Sequence, residues 1–152
     1  MESKLDVLSK IAKKIQNHGI TWALGGSTLL FLKNITDHFN DIDIMVCEED
    51  INKVKELLLE LGELRPFKPN NNFKTKHFLE FLIDNIKVDI MAGFTIVKNN
   101  QEYYFPIEKH QKFESIDIDG LKIPLQSVKE WKKYYELMDR TDKVSMINQK
   151  TF

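Results

Sequence analysis

Ile20-Thr21-Trp22-Ala23-Leu24-Gly25-Gly26-Ser27-Thr28-Leu29-Leu30-Phe31-Leu32 changes character at its middle. Ile20 to Leu24 is a short apolar run bounded by glycine, which predicts a buried strand running straight into Gly25 and Gly26. Ser27 then opens a helix, Thr28 to about Lys33, apolar almost all round as expected of a helix packed on a sheet. After a polar stretch, Asn34 to Asn40, read as a loop, Asp41 to Val46 alternates strictly. Asp41, Asp43 and Met45 fall on one side, and Ile42, Ile44 and Val46 on the other. The pair of segments reads as strand, glycine turn, helix, then a strand with one acidic face.

Working outward, Leu5, Leu8, Ile11, Ala12 and Ile15 recur at helical spacing from Ser3 to about Asn17 and stop at Gly19. Ile51, Val54, Leu57, Leu58 and Leu61 give a further helix ended by Gly62. Pro66 to Asn72, with two prolines and three consecutive asparagines, reads as a mobile loop. Asp84-Asn85 reads as the two-residue turn between strands Phe78–Ile83 and Ile86–Met91. Similar hairpins are expected around Asn99-Asn100 and Asp119-Gly120. Ser127 with Glu130 forms a capping box for a helix to Met138, and a last helix follows from about Thr141. The expected class is α+β, a two-layer mixed sheet with helices packed mainly on one face, in a single domain over residues 1–152.

The chain has 152 residues, 42% of them hydrophobic and 30% charged, which suits one soluble domain able to bury a core. Lys and Arg number 22 against 23 Asp and Glu, a net charge of −1, so the overall field offers no attraction to long nucleic acid or an anionic membrane. The lone Cys47 excludes an internal disulfide and suits a reducing cytoplasm. No apolar run is long enough to span a bilayer, and the charged N-terminus is no signal peptide.

Three features carry chemistry. Consecutive glycines let a backbone approach a phosphate closely, and a helix start at Ser27 presents free N–H groups, with the hydroxyl adding a donor. Two carboxylates one residue apart on a strand share a face and can hold divalent cations through oxygen. Asp89, on a later strand, could complete a metal site that clamps a triphosphate and activates a hydroxyl. Taken singly, each has a plain structural explanation: a glycine turn, a solvated strand face, an isolated carboxylate. Their joint order on strands of one small domain is what points to a site. His18, His38, His77 and His110 lack ligand spacing. Cys47, Trp22, Trp131, Tyr134 and Tyr135 read as core residues, and Lys129, Lys132 and Lys133 as a solvated helix face.

The order Leu24-Gly25-Gly26-Ser27, Asp41-Ile42-Asp43 and Asp89 resembles the minimal nucleotidyltransferases of the DNA polymerase beta-like superfamily. Within it, the antibiotic nucleotidyltransferases acting on aminoglycosides and lincosamides, and toxin-type stand-alone domains, are most similar. The resemblance implies the nucleotidyltransferase fold and Mg²⁺-dependent transfer of a nucleoside monophosphate from an NTP, ATP foremost, to a hydroxyl of a small acceptor, with pyrophosphate released. It implies that Asp41 and Asp43 ligate Mg²⁺, and that Asp89 binds a second ion or takes the acceptor proton. Gly25, Gly26 and Ser27 then meet the nucleotide, as do Arg140 and Lys143 of the closing segment. Two departures stand out: Thr36 is followed by Asp37 where many relatives carry Arg, and Arg140-Thr141-Asp142-Lys143 exchanges the usual Lys and Asp. The alternatives are a non-catalytic nucleotide-binding regulator of the same fold and a transferase directed to tRNA ends. A homodimer that completes the acceptor pocket is compatible with so small a domain.

Overall fold

The computed structural model describes residues 2–150, with only the backbone of Glu2. Helix α1 (Glu2–Ile15) ends before Asn17 and Gly19, whose φ values of 65° and 70° lie in the left-handed region that stops a helix. Strand β1 (Trp22–Gly25) runs directly into helix α2 (Gly26–Leu32). Strand β2 (Ile42–Val46), a 3-10 turn and helix α3 (Ile51–Leu58) follow. A two-residue strand β3 (Glu63–Leu64), which sequence alternation is too short to reveal, precedes β4 (His77–Ile83) and β5 (Ile86–Ala92). The chain continues through β6 (Phe94–Lys98), β7 (Gln101–Phe105), β8 (Glu114–Ile118) and β9 (Leu121–Leu125). It closes with α4 (Val128–Leu137) and α5 (Thr141–Lys150).

All three expected hairpin turns are present. Asp84-Asn85, Asn99-Asn100 and Asp119-Gly120 each place two successive residues at positive φ, as the tight turn between right-twisted strands requires. Ser127 and Glu130 form the reciprocal capping box. The main sheet is mixed, in the order β3-β4-β5-β2-β1-β9-β8, with β2 parallel to β5 and β9 parallel to β1; β6 and β7 pair separately.

One sheet face is wholly apolar: Leu24, Ile42, Ile44, Phe81, Ile83, Val88 and Ile90 are all 0% exposed. Helices α1 and α3 cover it, touching each other, with α1 also on β9 and α3 on β4. Burial of each such side chain contributes about 1.5–3 kcal/mol, so this layer holds the sheet in register. Helix α4, with α5 packed against it, lies outside that layer. A Cβ on Gly25 would strike the Trp131 indole, so Trp131 lies on the face opposite to α1. The segment 34–40 is not the wholly polar loop its composition suggests, because Ile35 and Phe39 are buried and Phe39 packs on Phe31 with ring centroids 5.1 Å apart. Among the described residues no helix is long and apolar enough to cross a membrane.

Candidate active site

The parallel register of β2 and β5 sets Asp43 directly beside Asp89, and residues paired in this way project to the same face. Asp41 lies one residue before β2 rather than within it. Its backbone carbonyl accepts a hydrogen bond of 2.9 Å from Thr28 Oγ1, which ties it to α2. On the other side of β5, β4 sets Glu80 opposite Asp89. Lys87, two residues before Asp89 and therefore on its face, sends its ammonium between these groups. Its Nζ is 3.8 Å from Asp41 Oδ2, 3.8 Å from Glu80 Oε1 and 3.7 Å from Asp89 Oδ2. The result is a row of four carboxylates, three of which share one lysine ammonium.

Burial raises the pKa of Asp43 well above the usual carboxylate range, and the charges of Asp89 and Asp41 push it further. Asp89 is also raised, chiefly by burial, with Lys87 opposing the shift and Asp41 and Glu80 adding to it. Burial alone would lower Lys87, but Asp89, Asp41 and Glu80 outweigh it and hold the ammonium charged. Asp89 Oδ1 is buried without a hydrogen-bond partner. Among the described residues, no three His, Cys, Asp or Glu side chains stand ready as a metal cage. The donor chemistry nevertheless fits a hard divalent cation: every candidate ligand is a carboxylate oxygen, the carboxylates repel one another, and one buried oxygen lacks a donor.

The glycines serve this row in a way their sequence does not announce. Gly26 has φ 60°, and a Cβ there would overlap the Asp43 carboxylate; Gly25 gives its space to Trp131. Neither lines the cleft, whereas Ser27 does. Helix α2 starts at Gly26, one residue earlier than expected, and is short. So short a helix offers an anionic ligand little dipole, which makes nearby side-chain cations relevant.

Those cations are in the same cleft. A cavity of about 610 Å³ is lined by Ser27, Asp41, Asp43, Asp89, Arg140 and Lys143, so apart from the two glycines every residue singled out in the sequence reaches one space. Arg140 is engaged by Asp142 through two hydrogen bonds, Nε to Oδ1 at 3.1 Å and an Nη to Oδ2 at 3.0 Å, a consequence of the exchanged order at the end of the motif. Glu80 and Lys87 escaped the sequence reading although a signal existed: counting back from the two-residue turn at Asp84-Asn85 pairs Glu80 with Asp89. Trp131 and Tyr135 are core residues as expected, yet they also wall the cleft. Trp131 Nε1 donates to Gln126 Oε1 at 2.7 Å, and burial, then the charge of Asp43, raises the Tyr135 hydroxyl. The Pro66–Asn72 segment lines the rim through Pro66, Phe67, Lys68 and Asn70. Of the histidines only His38 lines the cleft, and it pairs with Asp37 at 2.8 Å. Cys47 is a buried core thiol.

The sequence profile of the aminoglycoside-2''-adenylyltransferase family matches residues 7–147. Among solved structures, an inferred nucleotidyltransferase from Thermotoga maritima is 25% identical, with 97% of this chain and 92% of that chain aligned at a TM-score of 0.76. ANT(2'')-Ia, solved in complex with adenylyl-2''-tobramycin, is 12% identical, with 97% and 89% of the two chains aligned at 0.62. The lincosamide antibiotic adenylyltransferase LnuA, solved with lincomycin bound, is 17% identical, with 99% and 98% aligned at 0.59. At these lower identities the likeness is one of fold. No curated protein sequence matches significantly.

Proposed function

Because this chain belongs to the aminoglycoside-2''-adenylyltransferase family and is a nucleotidyltransferase, we propose that it moves the adenylyl group of ATP to a hydroxyl of a small antibiotic-like acceptor, with Mg²⁺ as cofactor. The observation that carries this reading is the in-register pair Asp43 and Asp89, with Asp41 beside them, in a cleft that also contains Ser27, Arg140 and Lys143.

Asp41 and Asp43 would hold Mg²⁺, which when bound neutralises phosphate charge and polarises the α-phosphorus. Ser27 donates to a phosphate oxygen, while Lys143, and Arg140 on leaving Asp142, offset the charge of the departing pyrophosphate. Asp89 accepts the acceptor's hydroxyl proton. Its raised pKa brings it closer to neutrality than an ordinary carboxylate, which suits a general base. A bond forms between the acceptor oxygen and the α-phosphorus, the bond from that phosphorus to the bridging oxygen of pyrophosphate breaks, and the proton remains on Asp89. Four carboxylates in the cleft and a net charge of −1 disfavour an RNA acceptor.

The test is incubation with ATP, Mg²⁺ and an acceptor panel that includes total tRNA, read by mass spectrometry. A small acceptor gaining one adenylyl group, with equimolar pyrophosphate, supports the reading. Labelling of tRNA alone would overturn it.

A further inference from the structure

We propose that Lys87 is a positioning residue whose ammonium stands in for a second divalent cation beside Asp89, so that the chain binds a single metal ion together with ATP. The inference rests on the adenylyl-transfer reading above.

The backbone decides where this ammonium goes. Lys87 and Asp89 lie two residues apart on β5 and share its cleft face, while β4 pairs Leu82 with Lys87 and Glu80 with Asp89. From there Nζ is 3.7 Å from Asp89 Oδ2 and 3.8 Å from both Asp41 Oδ2 and Glu80 Oε1. The three acids belong to three separate segments, so the lysine bridges the row crosswise. Glu80, which adenylyl transfer leaves without a part, gains one here: it faces the ammonium from β4 and holds it over the row.

Charge and distance favour one ion over two. Mg²⁺ sits about 2.1 Å from an oxygen ligand, so an ion on Asp89 Oδ2 would come within about 6 Å of Lys87 Nζ. In a half-buried cleft that repulsion is weakly screened. Asp43 differs from Asp89, because among the described residues no Lys or Arg forms an ion pair with it. An ion held by Asp43 and Asp41 therefore lies on the side of the row away from the Lys87–Glu80 pair. On the Asp89 side, the ammonium offsets negative charge developing on the attacking oxygen as its proton passes to Asp89.

The test counts ions on the full chain. Mn²⁺ replaces Mg²⁺, one equivalent of a non-hydrolysable ATP analogue is present, and electron paramagnetic resonance reads the bound ions and any coupling between them. The expected result is one Mn²⁺ per wild-type complex, with an uncoupled spectrum. Lys87→Met, which keeps the length of the side chain and removes its charge, should bind two Mn²⁺ with a spin-coupled spectrum. Lys87→Gln serves as a second uncharged variant, with the same expectation. Lys87→Arg should return the count to one, which loss of packing alone would not explain. Two ions in the wild-type complex, one ion in the folded uncharged variants, or two in Lys87→Arg would each overturn the inference. Failure of the wild-type chain to bind the analogue with Mn²⁺ would instead overturn the adenylyl-transfer reading, and the inference with it.

Discussion

The two faces of strands β2 and β5 are built from alternating residues of the same segments, yet they do opposite physical work. Ile42, Ile44, Val88 and Ile90 point into a layer closed by α1 and α3 and are 0% exposed. Asp43 and Asp89, their immediate neighbours in sequence, point into the cleft, where burial raises both carboxyl pKa values, helped by the charges of Asp89 and Asp41 at Asp43 and of Asp41 and Glu80 at Asp89. The apolar face lowers the free energy of the fold, and the acidic face raises it. A strand fixed by one face can carry unfavourable charges on the other without losing register, because a one-residue slip would exchange the two sets entirely.

The sharpest way to break this comparison is on the acidic face. Asp43→Asn should lower adenylyl transfer on the order of 10³-fold, equivalent to ~4 kcal/mol of barrier, while metal-free thermal stability stays the same or rises. Activity assays and melting curves on one preparation check both halves. On the apolar face, Ile44→Ala, one residue away, should cost about 2–5 kcal/mol in urea denaturation. Equal stability losses at the two positions would refute the division of labour.

Gly26→Ala joins the two faces, since it combines a side chain at φ 60° with overlap of the Asp43 carboxylate. It should destabilise by about 1–3 kcal/mol and depress activity together. Gly19→Ala, also at positive φ but with open space around its Cβ, should leave activity unchanged.

A gentler test uses pH. Asp89 is raised to about 6 and Asp43 to about 8 in the folded protein, so between about pH 4, where unfolded aspartates titrate, and about pH 8 the folded state binds more protons than the unfolded one. The contribution of this pair to stability is therefore fully present below that window and is lost as pH rises through it. Melting curves without metal should show the loss, and millimolar Mg²⁺ should flatten it. The smallest effect expected is that of Ser27→Ala, a weakening of ATP binding by ~1 kcal/mol for one hydrogen bond, measured by titration.

Much of this was legible in the chain itself. Apolar alternation in Asp41–Val46, the three hairpin turns and the Ser127 capping box depend on residues close in sequence, and local rules suffice for them. So does the order of glycine turn, paired aspartates and later aspartate. Tertiary structure alone decided that β2 lies parallel to β5, which puts Asp43 beside Asp89 across a long intervening chain. It also decided that the Asp43 carboxylate fills the space a Cβ on Gly26 would need, and that Lys87 sits within 3.8 Å of three acids. Strand order and side-chain convergence arise from packing one whole face against α1 and α3, a collective condition that no single segment encodes.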